Sequence, residues 1–102
     1  MKCYSIIFSE EANKDVQELY LYIISEYKTY RTAEKYVDGI ENTILSLRYF
    51  AESYQVQTHK SLLRYGNSVR RVNYKRMAII YTVHGNIVYI HRIIPASMIT
   101  TL

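Results

Sequence analysis

Two stretches in which apolar residues recur at steps of three and four, followed by three stretches rich in Val, Ile and Tyr, constrain this chain more than any other feature. In the first, Ala12, Val16, Leu19, Tyr20, Ile23 and Tyr27 fall on one stripe of a helix, with Asp15, Glu18 and Glu26 off it. Ser9 is a good N-cap, and Glu10 and Glu11 follow in the first turn, where negative charge suits the helix dipole. The polar residues 28–31 interrupt the pattern. Thr32 then caps a second helix, in which Ala33, Tyr36, Val37, Ile40, Ile44 and Leu47 repeat the spacing. A short connection between two such helices predicts an antiparallel hairpin. Gly39 costs the second helix roughly 1 kcal/mol relative to alanine, so its presence there predicts close helix packing.

Strand character flanks the hairpin. Residues 2–8 place Tyr4, Ile6 and Phe8 on one side at period two. After residue 50 the periodicity fades into a polar loop over 51–61, and Gly66-Asn67 punctuates the chain before Val69. Residues 69–74, 78–83 and 87–94 then read as strands, the last two joined through His84-Gly85-Asn86. The prediction is an α+β fold: an N-terminal strand, a two-helix hairpin and a three-stranded antiparallel meander. Its helices should cover one face of an antiparallel sheet and leave the other open.

A chain of 102 residues fits one domain spanning 1–102. Its longest apolar run, around Met77 to Val83, is too short to cross a bilayer, and no secretory pattern opens the chain, so a cytoplasmic protein with no membrane partner is expected. Cys3 is the only cysteine and reads as a small strand residue; it offers neither an internal disulfide nor a multi-cysteine metal site. Charge is segregated. All nine acids lie between Glu10 and Glu52, whereas Ser53 to Leu102 carry seven Lys and Arg and no acid. The C-terminal half is therefore suited to an anion, either a nucleic acid backbone or an acidic protein segment, or simply carries solubilising charge.

Three segments resemble the RelE/ParE superfamily of bacterial toxins. Tyr4-Ser5-Ile6-Ile7-Phe8-Ser9-Glu10-Glu11-Ala12 is similar to the family's first strand and helix entry, and Thr32-Ala33-Glu34-Lys35-Tyr36 with Ile40, Ile44 and Leu47 to its second helix. Val69-Arg70-Arg71-Val72, Ala78-Ile79-Ile80-Tyr81-Thr82-Val83 and Val88-Tyr89-Ile90-His91-Arg92-Ile93 resemble its final three strands, with an arginine on each outer strand. The resemblance implies the toxin of a type II toxin-antitoxin pair.

In the ribonuclease branch the resemblance implies cleavage of mRNA on the ribosome without metal or cofactor, the RNA's own 2′-hydroxyl being the nucleophile. Such chemistry needs a base, cations for the phosphoryl oxygens and an acid for the leaving 5′ oxygen. Arg71 and Arg92 suit the cationic role, because a guanidinium stays charged and can donate two parallel hydrogen bonds to phosphate. Lys60, Arg64, Arg70, Lys75 and Arg76 are the candidates for flanking nucleic acid contacts. No carboxylate side chain follows Glu52, which leaves histidines and tyrosines as proton handlers. His59, in the loop before the second strand, is the candidate base, or else a solvated loop residue. His91 should point away from Arg92 in a regular strand, and His84 reads as a turn residue. Arg92 has an alternative role, pairing at its strand end with an acid from a helix. Tyr65, Tyr74, Tyr81 and Tyr89 are candidates for base stacking, Tyr81 equally for the core.

One departure counts against cleavage. After Arg92 the chain reads Ile93-Ile94-Pro95-Ala96-Ser97, none of them a general acid, and such a loss typically costs about 100- to 10,000-fold in rate. Ribosome-dependent mRNA cleavage is still the first expectation; the alternatives are the ParE branch, which resembles the nucleases in fold, lacks their cutting residues and implies inhibition of DNA gyrase, and an inactive relative that only binds its antitoxin. Partners implied by the resemblance are a cognate antitoxin, the ribosome and mRNA or DNA gyrase, and operator DNA only through the antitoxin complex.

Overall fold

The computed structural model describes residues 3–99. Strand β1 (Ser5–Phe8) leads into helix α1 (Glu10–Tyr27) and helix α2 (Tyr30–Phe50), then a four-residue helix α3 (Lys60–Leu63) and strands β2 (Arg70–Tyr74), β3 (Met77–His84) and β4 (Ile87–Pro95), with a closing 3-10 turn at Ala96–Met98. This is the α+β order expected from the pattern. Of the strand anticipated over 2–8, Lys2 lies outside the described residues, and Cys3 is exposed ahead of β1.

Ser9 caps α1 as the sequence suggests, its side chain accepting from the Ala12 amide at 2.9 Å. The second helix starts earlier than Thr32. Lys28 takes the left-handed conformation (φ 58°) that ends α1, and Thr29 caps α2, accepting from the Arg31 amide at 3.2 Å. Two residues are therefore enough to turn the chain, because a left-handed C-cap and a β-region N-cap reverse direction back to back. Gly39 does mark a close approach, but to a ring and not to the other helix: a Cβ there would collide with the Tyr74 side chain of β2.

The strands lie in the order β1-β4-β3-β2. The meander is antiparallel, as anticipated, whereas β1 runs parallel to β4, with Ser5 to Phe8 paired to Ile87 to Ile90. A strand that enters before two helices and is rejoined by the last strand can lie parallel, since the whole α1–β3 segment serves as the crossover. Ile40, Ile44 and Leu47 of α2 pack on Ile79, Tyr81, Val88, Ile90 and Ile93 to form the main core. Tyr81 belongs to that core; its hydroxyl donates to the Ala51 carbonyl at 2.6 Å, and burial pushes its phenol pKa up.

The face away from the helices is not fully open. Leu62, Val69, Ala78, Ile80 and Ile99 form a second, smaller buried cluster there. The stretch anticipated as plain loop over 51–61 runs into α3, which sets Leu62 against the sheet, and a single bridge joins Val56 to Arg70.

Candidate functional site

The row Arg71–Ile80–Arg92 crosses β2, β3 and β4 at matched positions, so the register brings the two candidate arginines onto one line of the sheet. What surrounds Arg92 depends on an irregularity. The pairing shifts between Ile80 and Tyr81, which leaves β4 one residue longer: Ile90 faces Tyr81 and Arg92 faces Ile80. Ile90 and Ile93 both belong to the main core, and the two residues between them, His91 and Arg92, are both half-buried. A bulge of this kind re-aims side chains, and it overrides the alternation that would set His91 and Arg92 on opposite faces.

Because β1 pairs with β4 only through Ile90, the edge of β4 beyond that point is met by α1 instead. Ser9 fastens the junction, its amide donating to the Ile90 carbonyl at 3.0 Å and its hydroxyl to the His91 carbonyl at 2.8 Å. One and a half turns further on, Asp15 receives the Arg92 guanidinium through Nε at 2.8 Å and Nη2 at 3.0 Å, and its Oδ2 also accepts the Ile93 amide at 2.8 Å. Glu11 adds a second carboxylate 4.0 Å from Arg92. The Asp15 and Arg92 side chains are 11% and 25% exposed. The hydrogen bonds that Arg92 donates to Asp15, and next to them the one it donates to the Tyr65 oxygen, hold it in its charged form well above the usual range even against burial. Arg92 thus takes the helix-paired role, its fork already filled by a carboxylate.

The other candidates lie apart from that pair. His59 caps α3: its Nδ1 accepts from the Ser61 amide at 3.2 Å and lies 2.8 Å from the Ser61 hydroxyl. Arg70 sits opposite Tyr81, and its guanidinium donates to the Tyr54 carbonyl at 2.5 Å and the Glu52 carbonyl at 3.2 Å, anchoring the loop after α2. Lys75 turns β2 into β3 with φ 51°, its ammonium 5.5 Å from the Tyr36 and Tyr74 ring centres, and exposed Arg76 beside it accepts the Ala96 amide on its carbonyl. Lys60 is exposed on α3, and Arg64 at the end of α3 stacks 4.8 Å above the Tyr65 ring. The basic residues therefore divide between α3, the edge strand β2 and its turn, with Arg64 linked to Arg92 through the Tyr65 side chain. Among the described residues no group of three or more His, Cys, Asp or Glu is placed to hold a metal ion, and no helix is long and apolar enough to cross a membrane.

Sequence reasoning missed Asp15, noted only as a residue off the α1 stripe. It also passed over Thr82, His84 and His91, which the structure gathers against Tyr65 and Tyr89. The i to i+2 spacing of Thr82 and His84 was a usable signal, since alternation puts both on one face of β3; the bulge that brings His91 to them leaves no such mark.

Residues 6–100 match the family described as the ParE toxin of the type II toxin-antitoxin system, parDE. No curated protein sequence matches the chain. Among solved structures, a chain titled "Chromosomal ParDE TA system from P. aeruginosa" is similar in fold, with a TM-score of 0.76 at 18% identity over 91% of this chain and 96% of that one. With the family match running across nearly the whole length and the strand-hairpin-meander architecture in place, the chain belongs to the ParE family of type II toxins.

Proposed function

We propose that this chain is the toxin of a ParDE-type pair, neutralised by a cognate antitoxin, and that it arrests growth by inhibiting DNA gyrase and not by cutting mRNA. One observation carries the reading. A metal-free ribonuclease must present unfilled cationic donors to the scissile phosphate, and Arg92, the cation best placed by resemblance, spends two of its donors on Asp15. A phosphate would have to displace a carboxylate that also holds the Ile93 amide. His59 adds to the case, because its Nδ1 accepts the Ser61 amide, and a base that took a proton there would lose its capping bond. The segment Ile93-Ile94-Pro95-Ala96-Ser97 contributes no general acid. The ParE branch, which resembles the nucleases in fold and implies gyrase as target, requires none of the three.

Induced expression of the wild type and of Arg71→Ala plus Arg92→Ala, with cellular mRNA ends mapped and plasmid supercoiling followed, tests this reading. The expected result is growth arrest with loss of negative supercoiling and unchanged mRNA ends. New 5′ ends that vanish in the double variant would overturn it and make this chain a ribonuclease.

A further inference from the structure

The sheet face turned away from the helices carries three polar side chains in one hydrogen-bonded line. Thr82 Oγ1 lies 2.7 Å from His84 Nε2 and 2.8 Å from His91 Nε2, and Thr82 is only 3% exposed. A threonine hydroxyl has one proton to give and two lone pairs to receive. With both imidazoles neutral, it donates to a bare Nε2 on one side and accepts an Nε2–H from the other. A first added proton can sit on the far Nδ1 of the donating imidazole, and the line survives. A second proton has only the bare Nε2 to occupy; both rings then donate into Oγ1, and the hydroxyl hydrogen of a buried residue loses its acceptor.

We propose that His84, Thr82 and His91 act as a latch whose line accommodates one added proton and is broken by a second, on the His91 Nε2. Exposure decides the assignment. His84 is exposed at the end of β3, so its Nδ1 can reach water, whereas His91 is half-buried between two rings, 5.1 Å from that of Tyr65 and 4.8 Å from that of Tyr89. His91 is therefore the Nδ1–H tautomer with a bare Nε2.

The positive charges around His91 act in the same sense, and one carboxylate opposes them. Arg92 is its neighbour in the chain, Arg64 lies over the far ring of Tyr65, and His84 shares its hydroxyl; Glu11 of α1 is the carboxylate that favours its protonation. Burial first, and the His84 charge second, push the His91 imidazole below the usual histidine range. Breaking the line removes the bond between the Thr82 hydroxyl and the His91 ring, so acid loosens the side-chain tie between β3 and β4 on this face. The latch stands apart from the choice of target, since none of its residues is assigned to toxin action above.

Long-range proton–nitrogen NMR of the histidine rings tests it, on the wild type, His84→Gln, Thr82→Ser and Thr82→Val. At neutral pH the wild type should show His91 with a bare Nε2 and His84 with Nε2–H. His84→Gln should raise the proton affinity of His91 about fourfold, the effect of two unit charges roughly 5 Å apart in water. Thr82→Ser should keep the wild-type tautomers and Thr82→Val should lose them. Nε2–H on His91 in the wild type, or a His91 titration identical in wild type and His84→Gln, would overturn the proposal; since His84 is exposed, that variant remains informative if Thr82→Val fails to fold.

Discussion

The two faces of the sheet are built on different principles. The helix-covered face is a regular apolar assembly in which two amphipathic helices lay Ile40, Ile44 and Leu47 on Ile79, Tyr81 and Ile90. The opposite face holds a small cluster around Leu62 and Ile80, a four-residue helix and a row of histidine, threonine and tyrosine side chains. The first face gains stability from area; the second trades area for polar groups whose state can change. Arg92 stands at the seam, next to the bulge at His91 and tied to α1 through Asp15.

The sharpest test of this contrast is the same truncation on each side. Leu47 and Leu62 are both fully buried. Leu47→Ala should cost about 4 kcal/mol, toward the upper end for leucine truncation, because rigid helix and sheet cannot close the void. Leu62→Ala should cost about 2 kcal/mol, since a single turn of helix can settle into the space. Chemical denaturation reads both, and equal losses would break the comparison.

At the seam, Asp15→Ala strands the Arg92 charge and the Ile93 amide together. Partial exposure of Arg92 lets water repay some of that, so a loss of about 1–2 kcal/mol is expected. Asp15→Asn, which retains an acceptor for the amide, should lose less.

Gly39→Ala should reverse the usual sign of a glycine-to-alanine change in a helix. The gain of about 1 kcal/mol in propensity is outweighed where the new methyl meets the Tyr74 ring, for a net loss of about 1 kcal/mol. In a Tyr74→Ala background the same substitution should stabilise.

The smallest effect is the pH dependence. His91 titrates below its unfolded value of 6.5, so between those two points the unfolded chain binds a proton that the folded chain refuses. Its contribution is complete above pH ~6.5 and is lost as pH falls through the folded value. Denaturation midpoints for the wild type and His91→Gln should diverge above that pH and converge below it.

How much of this was legible in the sequence follows the same division. Periodicity revealed both helices, the meander and the covering of one face, because regular elements repeat their burial pattern along the chain. It misplaced the second N-cap by three residues, since Thr29 and Thr32 are equal candidates until the left-handed Lys28 is known. The parallel pairing of β1 with β4 is a long-range choice that no local pattern carries. Arg71 and Arg92 were singled out on the outer strands, where the register aligns them across Ile80, and the alternative that Arg92 meets a helix acid was in view, yet Asp15 could not be named from spacing alone. The second cluster went unseen because Leu62 and Ile99 come from short irregular segments with no period to read.

Purified reactions separate gyrase from mRNA as the target most directly. The chain would be added, in parallel, to gyrase with relaxed plasmid and to translating ribosomes with a defined mRNA. Supercoiling should stop while the mRNA stays whole. Cleaved mRNA beside unimpaired supercoiling would contradict it and return Arg92 to a phosphate-binding role.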